Sequence, residues 1–119
     1  MSSIYSEIIL DHYQNPRNFG SLVDFDKKID VANSLCGDKI TLYIKFENDK
    51  VKDIRFEGVG CAISKASSSM LTEAIKGKTK NQLKKIDKDF IIKILGVELG
   101  VNRIKCALLP LEALKKALI

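Results

Sequence analysis

Four residues in this chain could share one piece of chemistry: Cys36, Asp38, Cys61 and Cys106. Three thiols and one carboxylate make four anionic donors, enough for a tetrahedral zinc ion or for a two-iron cluster. Long-lived clusters usually rest on four thiolates. A hard carboxylate oxygen in place of the fourth matches soft, thiophilic metal less well and suits a centre meant to be released. Cysteine is also among the most buried residue types, and no two of these three have Cys-x-x-Cys spacing. Spacing alone leaves both a shared centre and separate packing roles open.

Each of the four falls at an expected element boundary. Cys36 and Asp38 flank Gly37 in a turn between two strands, and Cys61 follows Gly58-Val59-Gly60 where a third strand passes into a helix. Cys106 is expected at or just before the start of the last helix. Strand ends and helix starts at one edge of a small sheet can converge. A thiol at a helix start meets unpaired backbone N–H groups and the positive end of the helix dipole. Both favour thiolate, the form that binds metal and accepts sulfur. Arg103 and Lys105 push Cys106 in the same direction.

The elements that must position them follow from periodicity. Ile4, Tyr5, Ile8, Ile9 and Tyr13 recur at helical spacing over residues 4–13, and Asn15-Pro16 ends that helix. Residues 17–26 read as a loop and 28–34 as a short strand. Ile40, Leu42, Ile44 and Phe46 alternate with polar neighbours, Asn48-Asp49 marks a turn, and Val51, Ile54 and Phe56 continue into a third strand. The short connection makes those two an antiparallel hairpin. A helix then carries Ala62, Ile63, Ala66, Met70, Ala74 and Ile75 and stops at Gly77. Thr79 with Gln82 forms a capping box, and Asp87 caps a further helix ending near Gly96. Leu108, Leu111, Leu114 and Leu118 define the stripe of a last helix, with Pro110 suited to its first turn. The predicted class is α+β: an N-terminal helix, a small three-stranded antiparallel sheet, then several helices packed on one face.

At 119 residues the chain suits one domain, residues 1–119. Its 45% hydrophobic and 29% charged residues, with 7 Gly and 2 Pro, exclude disordered and fibrous classes. No secretory h-region and no membrane-length apolar run is visible, so no membrane is expected and the cytoplasm is the expected location. An odd number of cysteines argues against a disulfide framework. The formal charge is +5, much of it between Lys76 and Lys93. Asp87 and Asp89 interrupt that run and Phe90 is its only aromatic, so it reads as a solvated helical face and no nucleic acid is expected. His12, the only histidine, reads as a packing or helix-end residue. Ser67-Ser68-Ser69 has no histidine base near it in sequence, which argues against a hydrolase.

Four stretches resemble the U-type scaffolds of iron–sulfur cluster assembly, the IscU and SufU types and the N-terminal domain of NifU. They are Asp11-His12-Tyr13-Gln14-Asn15-Pro16-Arg17-Asn18, Asn33-Ser34-Leu35-Cys36-Gly37-Asp38, the run from Phe56 to Ser67 with its Gly-x-Gly-Cys-x-Ile-Ser-x-Ala-Ser signature, and Arg103-Ile104-Lys105-Cys106-Ala107-Leu108-Leu109. They occur in the family's order and span almost the whole chain. The resemblance implies a non-catalytic scaffold that takes persulfide sulfur from a cysteine desulfurase, combines it with iron and passes a [2Fe-2S] cluster to recipient apo iron–sulfur proteins. It implies Cys36, Asp38, Cys61 and Cys106 as ligands of the transient cluster, with zinc as an alternative occupant.

The chain also departs from each subtype. Lys105 stands where IscU-type members usually have histidine, and Val101-Asn102-Arg103 does not match their chaperone motif, so chaperone-assisted release is not implied. SufU-type members share the lysine but carry an insertion between the second and third cysteines that is missing here. Ser34 replaces a proline common before Cys-Gly-Asp. The competing reading is a zinc-containing sulfur-transfer partner that activates a desulfurase and holds no cluster. Among the thiols, Cys106 is the expected sulfur acceptor, because Lys105 and the preceding Gly100 favour exposure.

Overall fold

The computed structural model describes residues 3–33 and 37–119, with side chains from residue 7 onward. Cys36 and Ser34 lie outside the described residues, and Ile4 and Tyr5 outside the described side chains. The order is helix α1 (Ser3–Gln14), strands β1 (Lys27–Asn33), β2 (Asp38–Glu47) and β3 (Lys50–Val59), then helices α2 (Ala62–Ile75), α3 (Lys80–Lys84), α4 (Lys88–Leu95), α5 (Val101–Ala107) and α6 (Leu109–Ala117). This is the expected α+β arrangement.

The strands form one antiparallel sheet in the order β1-β2-β3. Asn48 and Asp49, at φ +54° and +67°, make the tight β2–β3 turn, a conformation that asparagine and aspartate tolerate. Lys45 faces Asp53 but Phe46 faces Val51, so Lys52 is an extra residue on β3. That bulge is why Val51 and Ile54 are buried on one face although three positions apart. Ile40, Leu42, Ile44, Ile54 and Phe56 form the sheet's side of the core. The other edge of β3 is met by the 17–26 loop, where Gly20 N–H donates to the Phe56 carbonyl and Phe56 N–H to the Asn18 carbonyl.

Helix α2 lies at the centre, contacting β3 and the helices α1, α4, α5 and α6, while α6 covers β1 and β2. So many neighbours require small residues on α2, and Ser64, Ala66, Ser67, Ser68, Ser69 and Thr72 are all fully buried. Their hydroxyls bond within the protein. Ser69 Oγ accepts the Arg17 N–H and lies 2.7 Å from His12 Nδ1, and Asn18 Nδ2 donates to Thr72 Oγ1 at 3.2 Å. His12 is a packing residue joining α1 to α2, as its isolation in sequence suggests. Burial, aided by the Arg17 charge, holds its imidazole below the ordinary 6.5. Of the expected α1 stripe, Ile9 is buried, whereas Ile8 and Tyr13 lie at the rim.

The caps form where the sequence marks them. Thr79 and Gln82 complete a capping box, Asp87 accepts the Phe90 N–H at 3.0 Å, and Gly96 ends α4 at φ +70°. The C-terminal region differs from expectation. A separate helix, α5, precedes the last one, and Pro110 stands in the first turn of α6. Cys106 therefore lies just before the last helix, as expected, but inside the end of a helix the sequence did not announce.

Candidate metal centre

Three of the four predicted ligands can be placed, and they converge. One donor atom from each of Asp38, Cys61 and Cys106 lies within 4.8 Å of the other two. Asp38 opens β2, directly across the sheet from Asn33 at the end of β1. Cys61 is the N-cap of α2, with φ −72° and ψ 168°. Cys106 arrives on α5, which packs on α2. Gly37, at φ +72°, supplies the left-handed turn before Asp38. Cys36, the fourth predicted ligand, precedes it outside the described residues.

Asp38 is 1% exposed, and a carboxylate so buried needs donors. Its Oδ1 accepts the Cys61 N–H at 2.9 Å, and the Cys61 thiol lies 3.7 Å from Oδ2. The carboxylate thus ties the β2 start to the first turn of α2. Ser64, one turn on, donates to the Cys61 carbonyl at 3.2 Å and stands 4.0 Å from its sulfur. Gly60 makes this closeness possible. A Cβ there would sit 2.5 Å from Asp38 Oδ1 and 2.7 Å from Ser64 Oγ.

Cys61 is exposed and Cys106 is 3% exposed, and both line one groove of about 270 Å³ with Ala62, Ile63, Asn102 and Arg103. Two expectations for Cys106 need correction. It does not gain a helix start, because α5 runs from Val101 to Ala107 and places it at the opposite end. Nor is it the more accessible thiol, since packing of α5 on α2 buries it while Lys105 beside it is exposed. Cys61 keeps the helix-start position predicted for it, at the positive end of the α2 dipole. Asn33 was legible only as part of a motif, yet its amide donates to Cys106 Sγ at 3.9 Å. Ser64 and Ser67 also border the centre and, like Asn33, were legible only as part of a motif. The signal for them is a serine-rich register inside an otherwise apolar helix.

Two thiols and a carboxylate on three elements, with a glycine where a side chain would displace the carboxylate, fit a thiophilic metal ion. The comparisons agree with that class. Residues 4–119 match the family model for the NifU-like N terminal domain, and the chain belongs to this family. It is 41% identical over 116 residues to the iron-sulfur cluster assembly scaffold protein IscU 1 of Archaeoglobus fulgidus, covering 98% of this chain and 75% of that one. It is 42% identical over 133 residues to the zinc-dependent sulfurtransferase SufU of Bacillus subtilis, covering 98% and 90%. That alignment exceeds the 119 residues present here, so the Bacillus protein carries residues this chain lacks. The crystal structure of a putative iron-sulfur cluster assembly scaffold protein for the SUF system of Fervidobacterium islandicum superposes with a TM-score of 0.83 at 37% identity, over 98% of each chain. The N-terminal NifU-like protein of Brucella abortus gives 0.75 at 25% identity, over 96% and 91%.

Proposed function

We propose that this chain is a non-catalytic scaffold that assembles a labile [2Fe-2S] cluster on Cys36, Asp38, Cys61 and Cys106 and hands it to recipient apo iron–sulfur proteins. The observation that carries the reading is the meeting of Asp38, Cys61 and Cys106 donor atoms within 4.8 Å, in a family whose relatives include proteins named as cluster assembly scaffolds. Sulfur comes as persulfide from a cysteine desulfurase. A thiolate of the scaffold attacks the outer sulfur, a new S–S bond forms, the donor's S–S bond breaks, and the donor cysteine leaves as thiolate. Exposure makes Cys61 the first acceptor of the two described thiols. Reducing that sulfur to sulfide takes two electrons, supplied by an external dithiol or ferredoxin-class reductant. Asp38 then contributes an oxygen donor that holds iron less tightly than a fourth thiolate would.

The zinc-dependent sulfurtransferase relative, together with Lys105, favours a second reading in which zinc occupies the same ligands and sulfur is relayed without a cluster. Anaerobic reconstitution with ferrous iron, a cysteine desulfurase, cysteine and a dithiol, followed by absorption spectroscopy and metal analysis, separates the two. Cluster absorption with iron and sulfide in equal amounts is expected. Each of Cys36→Ser, Cys61→Ser and Cys106→Ser should abolish it while leaving the circular dichroism spectrum intact. A protein that retains one zinc and gains no iron would establish the second reading, and two serine variants reconstituting like the parent would refute the shared centre.

A further inference from the structure

Helix α2 reaches both described sulfurs. Cys61 is its N-cap, and from the fully buried Ser67 the hydroxyl donates to the Ala107 carbonyl at 2.6 Å. Ala107 follows Cys106 and is the last residue of α5. The chain breaks its helical ladder there. Leu108 N–H returns to the Ile104 carbonyl, and α6 starts its own bonds with Glu112 N–H to the Leu108 carbonyl. Between them Pro110 has no N–H to offer the Cys106 carbonyl four residues earlier. At such a break the backbone takes its position from what holds it from outside, and the Ser67 hydroxyl holds it to the helix that carries Cys61.

We propose that Ser67 is a positioning residue of the metal centre, fixing the Cys106 sulfur at its distance from Cys61 and Asp38 through the Ala107 carbonyl. The proposal rests on the reading of Cys106 as a ligand. Ser67 touches no metal in this scheme. Ser67 bonds the backbone beside Cys106 rather than the sulfur itself, so its loss should cost the lower, roughly tenfold end of the range for outer-shell hydrogen bonds.

Cobalt(II), titrated anaerobically into metal-free protein, is the probe, since its thiolate charge-transfer and ligand-field bands report sulfur ligands and their geometry. Ser67→Ala should bind cobalt about tenfold more weakly, with altered ligand-field bands. Ser68→Ala is the matched control. Ser68 is equally buried, but its hydroxyl donates to the Ser64 carbonyl of its own helix at 2.8 Å, so its loss leaves α5 untouched. Both variants should melt below the parent, and only Ser67→Ala should change the cobalt titration. If Ser67→Ala is too unstable to assay, Ser67→Thr and Ser67→Val differ only in the hydroxyl, and the threonine variant alone should keep the parental spectrum. Equal cobalt affinities and spectra within either pair overturn the inference. A parent protein with no thiolate-to-cobalt band refutes the centre itself, a distinct result.

Discussion

A carboxylate at 1% exposure is retained only when its oxygens are answered, and Asp38 is answered by the backbone and thiol of Cys61, its neighbour in the proposed centre. That gives Asp38 two separable roles, anchoring the first turn of α2 and donating a hard oxygen to a soft centre. Asp38→Asn keeps an acceptor for the Cys61 N–H and removes the anionic donor, whereas Asp38→Ala removes both. If the hard donor sets lability, both variants should hold a reconstituted cluster longer than the parent and pass it more slowly to an apo-ferredoxin, several-fold in rate. Transfer is followed by the circular dichroism of the ferredoxin as it fills. A parental rate for Asp38→Asn would leave the carboxylate as an anchor alone. Ser67 acts at the same scale by another route, through backbone rather than ligand.

At the scale of elements, the two glycines before Cys61 do different work. A Cβ on Gly58 would stand 2.2 Å from the Lys39 carbonyl, in the β2–β3 ladder, so Gly58→Ala must push strands apart. A Cβ on Gly60 would instead meet the side chains of Asp38 and Ser64. Gly58→Ala should therefore lower stability by about 1–3 kcal/mol. Gly60→Ala should cost metal affinity out of proportion to stability, because the carboxylate must leave its place. Urea unfolding and a zinc titration on both variants check this, and a Gly60→Ala protein with parental zinc affinity would remove the cradle from the design. The contrast also shows what the sequence could carry. The capping box at Thr79, the cap at Asp87 and the stop at Gly96 were legible because each is a local hydrogen-bond motif. Helix α5 was not, because Gly100 gives its N-cap no side-chain bond and its burial comes from α2, far away in sequence. The burial of Cys106 was lost with it.

Across the whole molecule the centre and the core meet at Cys106, which is buried among the core's apolar side chains. Asp38 and Cys61 lie at one end of the β2–β3 hairpin, whose other end, the Asn48-Asp49 turn, binds the start of the basic run through Lys80 N–H to the Asp49 carbonyl. In that run Lys76 pairs with Asp53 at 3.8 Å and Lys80 sits 4.6 Å over the Phe46 ring, at the far end from the thiols. In the core, Leu42, Ile44, Ile54, Phe56, Leu71, Ile75, Leu83, Ile91, Leu95 and Leu114 are at most 1% exposed. A core of that extent should hold without metal, and the radius of gyration of 13.3 Å is close to the roughly 13.5 Å expected of a compact chain this long. The meeting of Asp38, Cys61 and Cys106 was foreshadowed in sequence by their places near element boundaries, whereas their exposure depended on this packing. Chelator-treated protein should accordingly keep its helical circular dichroism and melt cooperatively. Zinc at a hundred times its dissociation constant should then add about 2.7 kcal/mol, the linkage expected when metal binds a site already formed. Calorimetry of the metal-free and zinc-loaded forms measures both. A metal-free chain with no cooperative transition would mean that the metal completes the fold, and the centre would then be structural rather than one built to release its cargo.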